Sequence, residues 1–258
     1  MNAEFNKKKM EDLMEELKDS RPVFNSEDDF KFSLAWLIKE KYRDDVEIRL
    51  EKKVNNNKNA SSNEGGDQNN KNQRIDIFIK AQNEKGNEFI GIELKYFTAE
   101  IEWTDKKNDE TFKLVNQAAY NIKCYDAWKD VERLENFIDE GFINKGFIIW
   151  LTNVNSLTVE DDFDRNYYYE FRIRNGRKIP DADYRGDPEN GYVELKWDPS
   201  TSEGTKKGRK APIIIKKNYN VSWKKYKDLS NEQKNISEKS SNKKKRNTVF
   251  KYAILEVQ

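Results

Sequence analysis

Three charged residues stand inside apolar runs: Asp76 in RIDIFIK (74–80), and Glu93 and Lys95 in EFIGIELKYF (88–97). Burying charge in a strand costs free energy unless the charge is paired or holds a metal. Side chains two apart on a strand share a face, so Glu93 and Lys95 project together beside Gly91, while Ile92 and Leu94 face a core. The stretch AQNEKGN between the runs reads as a turn, which makes a hairpin and carries Asp76 toward the same corner. Two carboxylates and an ammonium at one point suit phosphodiester hydrolysis. Mg²⁺, or Mn²⁺ in its place, takes oxygen ligands: one or two carboxylates, with water and substrate phosphate completing the shell. Such an ion acidifies bound water and neutralises charge as it develops on the phosphate. In this reading Asp76 and Glu93 are the metal ligands, and Lys95 holds or deprotonates the attacking water.

Composition narrows the chemistry in the same direction. The chain has no histidine and one cysteine, Cys124. Serine–histidine triads, histidine-ligated zinc, disulfides and cysteine-built zinc sites are therefore excluded, and hard, oxygen-ligated metals remain. A net charge of +1 over 258 residues announces no nucleic-acid partner in bulk, so any such signal must be local. The opening MNAEFNKKKMEDLMEELKDS lacks an apolar run of secretory type, and no stretch approaches the ~18 apolar residues of a membrane span. The expectation is a cytoplasmic protein without a membrane partner.

The elements that must position the corner follow from periodicity. Residues 26–42 open with Ser26 and Asp29 in capping-box spacing and continue with Phe30, Leu34, Leu37 and Ile38, predicting an amphipathic helix. VEIRLEKKV alternates as a half-buried strand, and residues 55–73, rich in Asn, Ser and Gly, read as a low-complexity surface loop before the hairpin. Residues 109–140 show Phe112, Val115, Ala119, Ile122, Trp128, Val131 and Phe137 near a 3.6 period, predicting a long helix closed by Gly141. GFIIWLTN is apolar throughout, as a strand covered on both faces is. YYYEFRIRNGRKI, GYVELKW, APIIIKKNYNVSW and VFKYAILEV read as further strands. The expected architecture is one α/β domain over 1–258: a helix, three strands in an antiparallel or mixed sheet, a helix and a strand, extended over 153–258 by C-terminal strands.

Asp76, a hairpin, Glu93-Leu94-Lys95 and this order of elements resemble the PD-(D/E)xK nuclease superfamily, which includes restriction endonucleases and Holliday-junction resolvases. The resemblance spans roughly residues 26–152, with Ile75 where the motif's name has proline and an unusually long loop before it. It implies a metal-dependent deoxyribonuclease, an endonuclease in restriction, defence or repair, and a homodimer where both strands are cut. It also implies a further acid on the first helix, for which Glu27 and Glu40 qualify. Some relatives carry a glutamine on the helix after the lysine strand, and Gln117 holds that place, although its spacing to Tyr120 is three where the RecB-like group has four.

Acid-x-lysine pairs recur in this chain, and the strongest competitor is Glu194 with Lys196, following Asp183 and Asp187. It lacks a preceding apolar strand bearing the aspartate, and a loop follows it. The bland alternative for Asp76, Glu93 and Lys95 is a set of cross-strand ion pairs on a solvated sheet face. The local basic signal lies at 204–227, with nine Lys and Arg and no acid, and Tyr219, Trp223 and Tyr226 interleaved. Lys206, Lys207, Arg209 and Lys210 are the expected phosphate contacts and Trp223 the stacking surface, with NKKKRN (242–247) adding charge. A solvated loop beside a lysine-guarded edge strand is the alternative. Two functional rivals stand: a DNA-binding or scaffolding protein on the same fold that does not cleave, and an interaction module free of metal.

Overall fold

The computed structural model describes residues 3–54, 73–84, 86–160, 166–180, 191–230 and 247–258. Most of the loop expected at 55–73, most of NKKKRN, and Asp183 and Asp187 lie outside the described residues.

A mixed six-stranded sheet forms the centre. Its strands are β1 (Val46–Lys53), β2 (Arg74–Asn83), β3 (Gly86–Phe97), β6 (Lys145–Thr152), β11 (Lys224–Asp228) and β12 (Val249–Val257), in the order β1-β2-β3-β6-β12-β11. Only β3 and β6 run parallel; the other neighbours are antiparallel. Helices α1 (Lys7–Ser20) and α2 (Glu27–Tyr42) cover one face, and α3 (Tyr120–Asp139) covers the other. The α/β class expected from the periodicity is the architecture found, and the C-terminal β11 and β12 complete the central sheet.

Helices α1 and α2 each start where the sequence supplies a side-chain cap, whereas α3 starts after Ala119 without one. Ser26 Oγ accepts Asp29 N–H at 3.1 Å, the first turn carries Glu27, Asp28 and Asp29, and Phe30, Leu34 and Ile38 are buried beneath. Helix α1 is capped by Asn6, whose Oδ1 accepts Lys9 N–H at 2.9 Å, and it buries Met10, Leu13, Met14 and Leu17. Those four recur at i, i+3, i+4 and i+7, a helical signal that the charge-dominated reading of the opening residues passed over.

Two expectations are corrected. Residues 109–140 are not one helix: β4 (Ile101–Asp105) pairs with β5 (Glu110–Leu114), and α3 begins only at Tyr120. Phe112 and Leu114 are buried while Thr111 is exposed, and Phe112 stacks on Trp103 with centroids 5.7 Å apart. That is a period of two. The helical count had borrowed Phe112 from a strand and Val115, 71% exposed, from the segment after it. YYYEFRIR is likewise not a strand; it holds a short 3₁₀ turn, Tyr169–Phe171. Its aromatics serve packing, with Phe171 wedged edge-on to Tyr125 at 5.0 Å.

The remainder of 153–258 clasps the outer side of α3. It contributes α4 (Asn155–Thr158), β7 (Lys178–Ile179) with β10 (Tyr219–Asn220), β8 (Val193–Leu195) with β9 (Ile213–Ile215), and α5 (Glu203–Lys206). Carboxylates of α3 hold these pieces: Glu132 accepts Ile214 N–H at 2.8 Å, and Glu135 accepts Lys216 N–H, Lys217 N–H and Tyr219 O–H. Among the described residues no helix is long and apolar enough to cross a membrane.

Helix α3 approaches the sheet over two glycines that face each other, Gly91 on β3 and Gly146 on β6. A Cβ on Gly146 would meet Leu134 Cδ1 at 2.9 Å, and both Leu134 Cβ and Val257 Cβ at 3.3 Å. Gly146→Ala is expected to destabilise the protein by about 1–3 kcal/mol through overpacking, read as a lower urea midpoint at unchanged slope. A variant as stable as the parent would show that α3 can shift freely.

Candidate active site

The ladder between β2 and β3 runs from Asn83↔Gly86 to Ile77↔Ile92 and stops there. One residue further, Asp76 no longer pairs through its backbone; its Oδ2 accepts Leu94 N–H at 2.9 Å. Two residues on, Tyr96 N–H is taken at 2.8 Å by Glu27 Oε2, from the first turn of α2. Side-chain carboxylates thus replace a neighbouring strand along this part of β3, which leaves both acids beside Glu93 and Lys95. Ile92, Leu94 and Tyr96 alternate into the core under α1 and α2, so Glu93 and Lys95 face α3.

Helix α3 answers with two charged residues one turn apart. Arg133 Nη2 lies 2.6 Å from Glu93 Oε2 and 2.9 Å from Asp130 Oδ1, and Asp130 Oδ2 pairs with Lys95 Nζ. On the open side Lys31 Nζ sits 3.6 Å from Asp76 and 2.8 Å from Asp28, and also pairs with Glu51. Glu27, Asp76, Glu93 and Asp130 therefore gather around Lys95 and Arg133, with Lys31 shared between Asp76 and the outer acids Asp28 and Glu51.

Burial is uneven across the cluster. Glu93 is 2% exposed, and the side chains of Asp76 and Lys95 are 20% and 23% exposed, so the corner opens on the Asp76 and Lys95 side. Burial drives the Glu93 carboxyl well above the usual range; Arg133 opposes this, while the charges of Asp130 and Asp76 add to it. Burial likewise raises Glu27, against the pull of Lys95 and the Tyr96 N–H. Burial would lower the Lys95 pKa, but Asp130 and Glu27 outweigh it and hold the ammonium protonated above its ordinary range.

Among the described residues no three acids, cysteines or histidines are drawn into a ready-made cation cage. A hard cation that keeps most of its waters needs only one or two protein carboxylates, however. Among the described residues Glu93 Oε1 is buried without a hydrogen-bond partner, and Asp76 Oδ1 lies 3.6 Å from Lys31 Nζ. One oxygen donor near the opening, on Asp76, and one buried behind it, on Glu93, fit the one or two carboxylates that Mg²⁺ or Mn²⁺ needs.

The other expected residues fall elsewhere. Glu40 is exposed at the far end of α2, so Glu27 is the helix acid that reaches the corner. Gln117 precedes α3 and is not part of it; its N–H donates to Thr98 O at 3.0 Å and its Oε1 accepts Lys123 Nζ at 2.8 Å. The β4–β5 hairpin occupies the chain length that a helix through Gln117 would have used. Glu194 pairs with its own neighbour Lys196 on β8, remote in topology from the central sheet.

The basic segment is more committed than its composition implied. Arg209 makes a two-pronged bond to Asp126 on α3, at 2.7 and 2.8 Å, while Lys206 and Lys210 pair with Glu203 at 3.3 and 2.6 Å. Lys207 is exposed. Trp223 is half-buried: its Nε1–H donates to Ile173 O at 2.6 Å and its ring tilts against Trp150 at 6.3 Å. Asp126 precedes Asp130 by one turn of α3, so Arg209 is anchored about 6 Å along the helix from the corner.

Asp130 and Arg133 went unnoticed in the sequence. Their i, i+3 spacing in WKDVERLENF resembles any solvated helix pair. The one available signal is that Cys124, Ala127, Trp128, Val131, Leu134 and Phe137 form an apolar arc within which Asp130 falls, between Leu134 and Phe137 on the helix surface. No family model matches the chain, and neither the curated proteins nor the solved structures contain a match to it.

Proposed function

We propose that this chain is a divalent-metal-dependent deoxyribonuclease of the PD-(D/E)xK type, an endonuclease serving restriction, defence or repair. The observation that carries the reading is the parting of β2 from β3 at Asp76, which sets Asp76, Glu27, Glu93 and Lys95 around a single half-open, acid-rich corner. Asp76 and Glu93 would hold Mg²⁺ or Mn²⁺. When bound, the ion supplies a more acidic water and neutralises the scissile phosphate.

The chain's own groups divide the remaining work. Lys95, paired with Asp130 at the edge of the corner, would hold or deprotonate the attacking water, and its charge would stabilise the phosphate as negative charge develops. Glu27 fixes the course of β3 through Tyr96 N–H while its carboxylate borders the corner. Lys206, Lys207, Arg209 and Lys210 lie on the segment that adjoins α3, where exposed lysines would track a DNA backbone without reading its sequence. Cutting both strands would call for a homodimer.

Supercoiled plasmid, linear duplex and branched DNA incubated with Mg²⁺ or Mn²⁺, against EDTA, test the reading. Conversion to nicked or shortened products with metal alone is expected. Absence of products from all three substrates with either ion would refute it. One observation favours a second reading, a DNA-binding or scaffolding protein that does not cut: Arg133 already occupies Glu93 Oε2. That reading predicts DNA retention with no metal-dependent products.

A further inference from the structure

We infer that Arg133 is a built-in cationic plug: its guanidinium sits on Glu93 in the place of a divalent cation, and metal binds by displacing it onto Asp130. The inference rests on the metal-dependent reading above and adds to it a residue that sets how tightly the metal is held.

Three features carry it. First, one nitrogen, Arg133 Nη2, reaches both Glu93 Oε2 at 2.6 Å and Asp130 Oδ1 at 2.9 Å, so the guanidinium already touches the acceptor that would keep it once Glu93 turns away. Second, the hydrogen bonding of the pair is unfinished: among the described residues Glu93 Oε1 and Arg133 Nε are both buried without partners. A purely structural buried ion pair is expected to satisfy such atoms, because each orphan costs free energy. Third, the pair closes a chain of alternating charge, Glu93–Arg133–Asp130–Lys95, in which Asp130 serves both cations. Asp130 can retain Arg133 while Lys95 keeps a second acid near it in Glu27.

A positive charge on a ligand oxygen opposes a second cation at short range. Arg133→Gln should therefore bind Mn²⁺ at least about tenfold more tightly than the parent in calorimetric titration without DNA, because the repulsion is gone and Glu93 Oε2 is released. The same variant should unfold at lower temperature without metal and regain more of that loss on adding Mn²⁺ than the parent gains. Arg133→Lys should behave as the parent, since it restores the charge. Glu93→Gln combined with Arg133→Gln should lose the gained affinity.

Equal Mn²⁺ affinity in the parent and Arg133→Gln would overturn the plug and leave the metal centre standing. Absence of Mn²⁺ binding in both would overturn the two together. Should Arg133→Gln fail to fold alone, dilution from urea with and without Mn²⁺ reads the same competition: recovery only with Mn²⁺ supports the plug, and failure in both conditions overturns it.

Discussion

Asp76→Asn is expected to lower metal-dependent cleavage of plasmid DNA by about 10²-fold or more, while the thermal midpoint moves little. The two halves of this outcome have different causes. Asp76 holds β3 through one oxygen, which accepts Leu94 N–H at 2.9 Å, and an asparagine carbonyl accepts the same N–H. The ion pair to Lys31 spans 3.6 Å, and Lys31 keeps Asp28 and Glu51 as closer partners when the Asp76 charge is removed. The local fold therefore tolerates the change. What disappears is the negative charge that would ligate a cation. Lys95→Met gives the complementary loss, about 10²–10³-fold in rate, because it keeps the aliphatic stem and removes a charge placed to stabilise the phosphate. It leaves Asp130 with Arg133 as its remaining partner at 2.9 Å, so a modest loss of stability accompanies it. Product formation by both variants at the parental rate would place the chemistry elsewhere.

The largest stability effect should come from Trp150→Ala, about 3–5 kcal/mol, a sizeable part of the total stability of an ordinary domain. Trp150 is fully buried on β6, across from Lys95 in the parallel register of β3 and β6. Its ring meets Trp128 of α3 edge-on at 5.4 Å and Trp223 at 6.3 Å, so its loss opens a cavity between the sheet, α3 and the C-terminal segment together. Three elements cannot all collapse into that space. The indole N–H is buried without a hydrogen-bond partner, so Trp150→Phe gives up packing alone and should cost less than half as much. Urea midpoints at constant slope distinguish these outcomes. A loss below ~1 kcal/mol in Trp150→Ala would mean that the three-element contact is slack.

How far the molecule could be read in advance differed by element. Helix α2 was legible because its signals are local: Ser26 caps it, and Phe30, Leu34 and Ile38 repeat on one side. Strand β6 was legible because the unbroken apolar run 147–151 admits few readings, and all five of its residues are buried. The β4–β5 hairpin was misread because Phe112 fits a strand period and a helix period equally well over so short a window. Its stacking on Trp103, nine residues earlier, decides between them. Helix α1 was less legible because nine of its fourteen residues are charged, which dilutes the stripe of Met10, Leu13, Met14 and Leu17.

For the candidate site, residue types and spacing by themselves determined that Glu93 and Lys95 share a face, that Asp76 occupies the partner strand, and that the absence of histidine leaves oxygen donors for any metal. These are consequences of the two-residue period of a strand and of side-chain chemistry, and neither depends on the rest of the fold. Tertiary structure alone decided which helix acid arrives, Glu27 through Tyr96 N–H, and that Asp130 and Arg133 close over the strand charges. It also decided that Arg209 and Trp223 are spent on α3 and on a backbone carbonyl. Each of these contacts joins residues about 35 to 83 positions apart, and their geometry is set by how α2, α3 and the C-terminal segment pack on the sheet. Local periodicity carries no record of that packing.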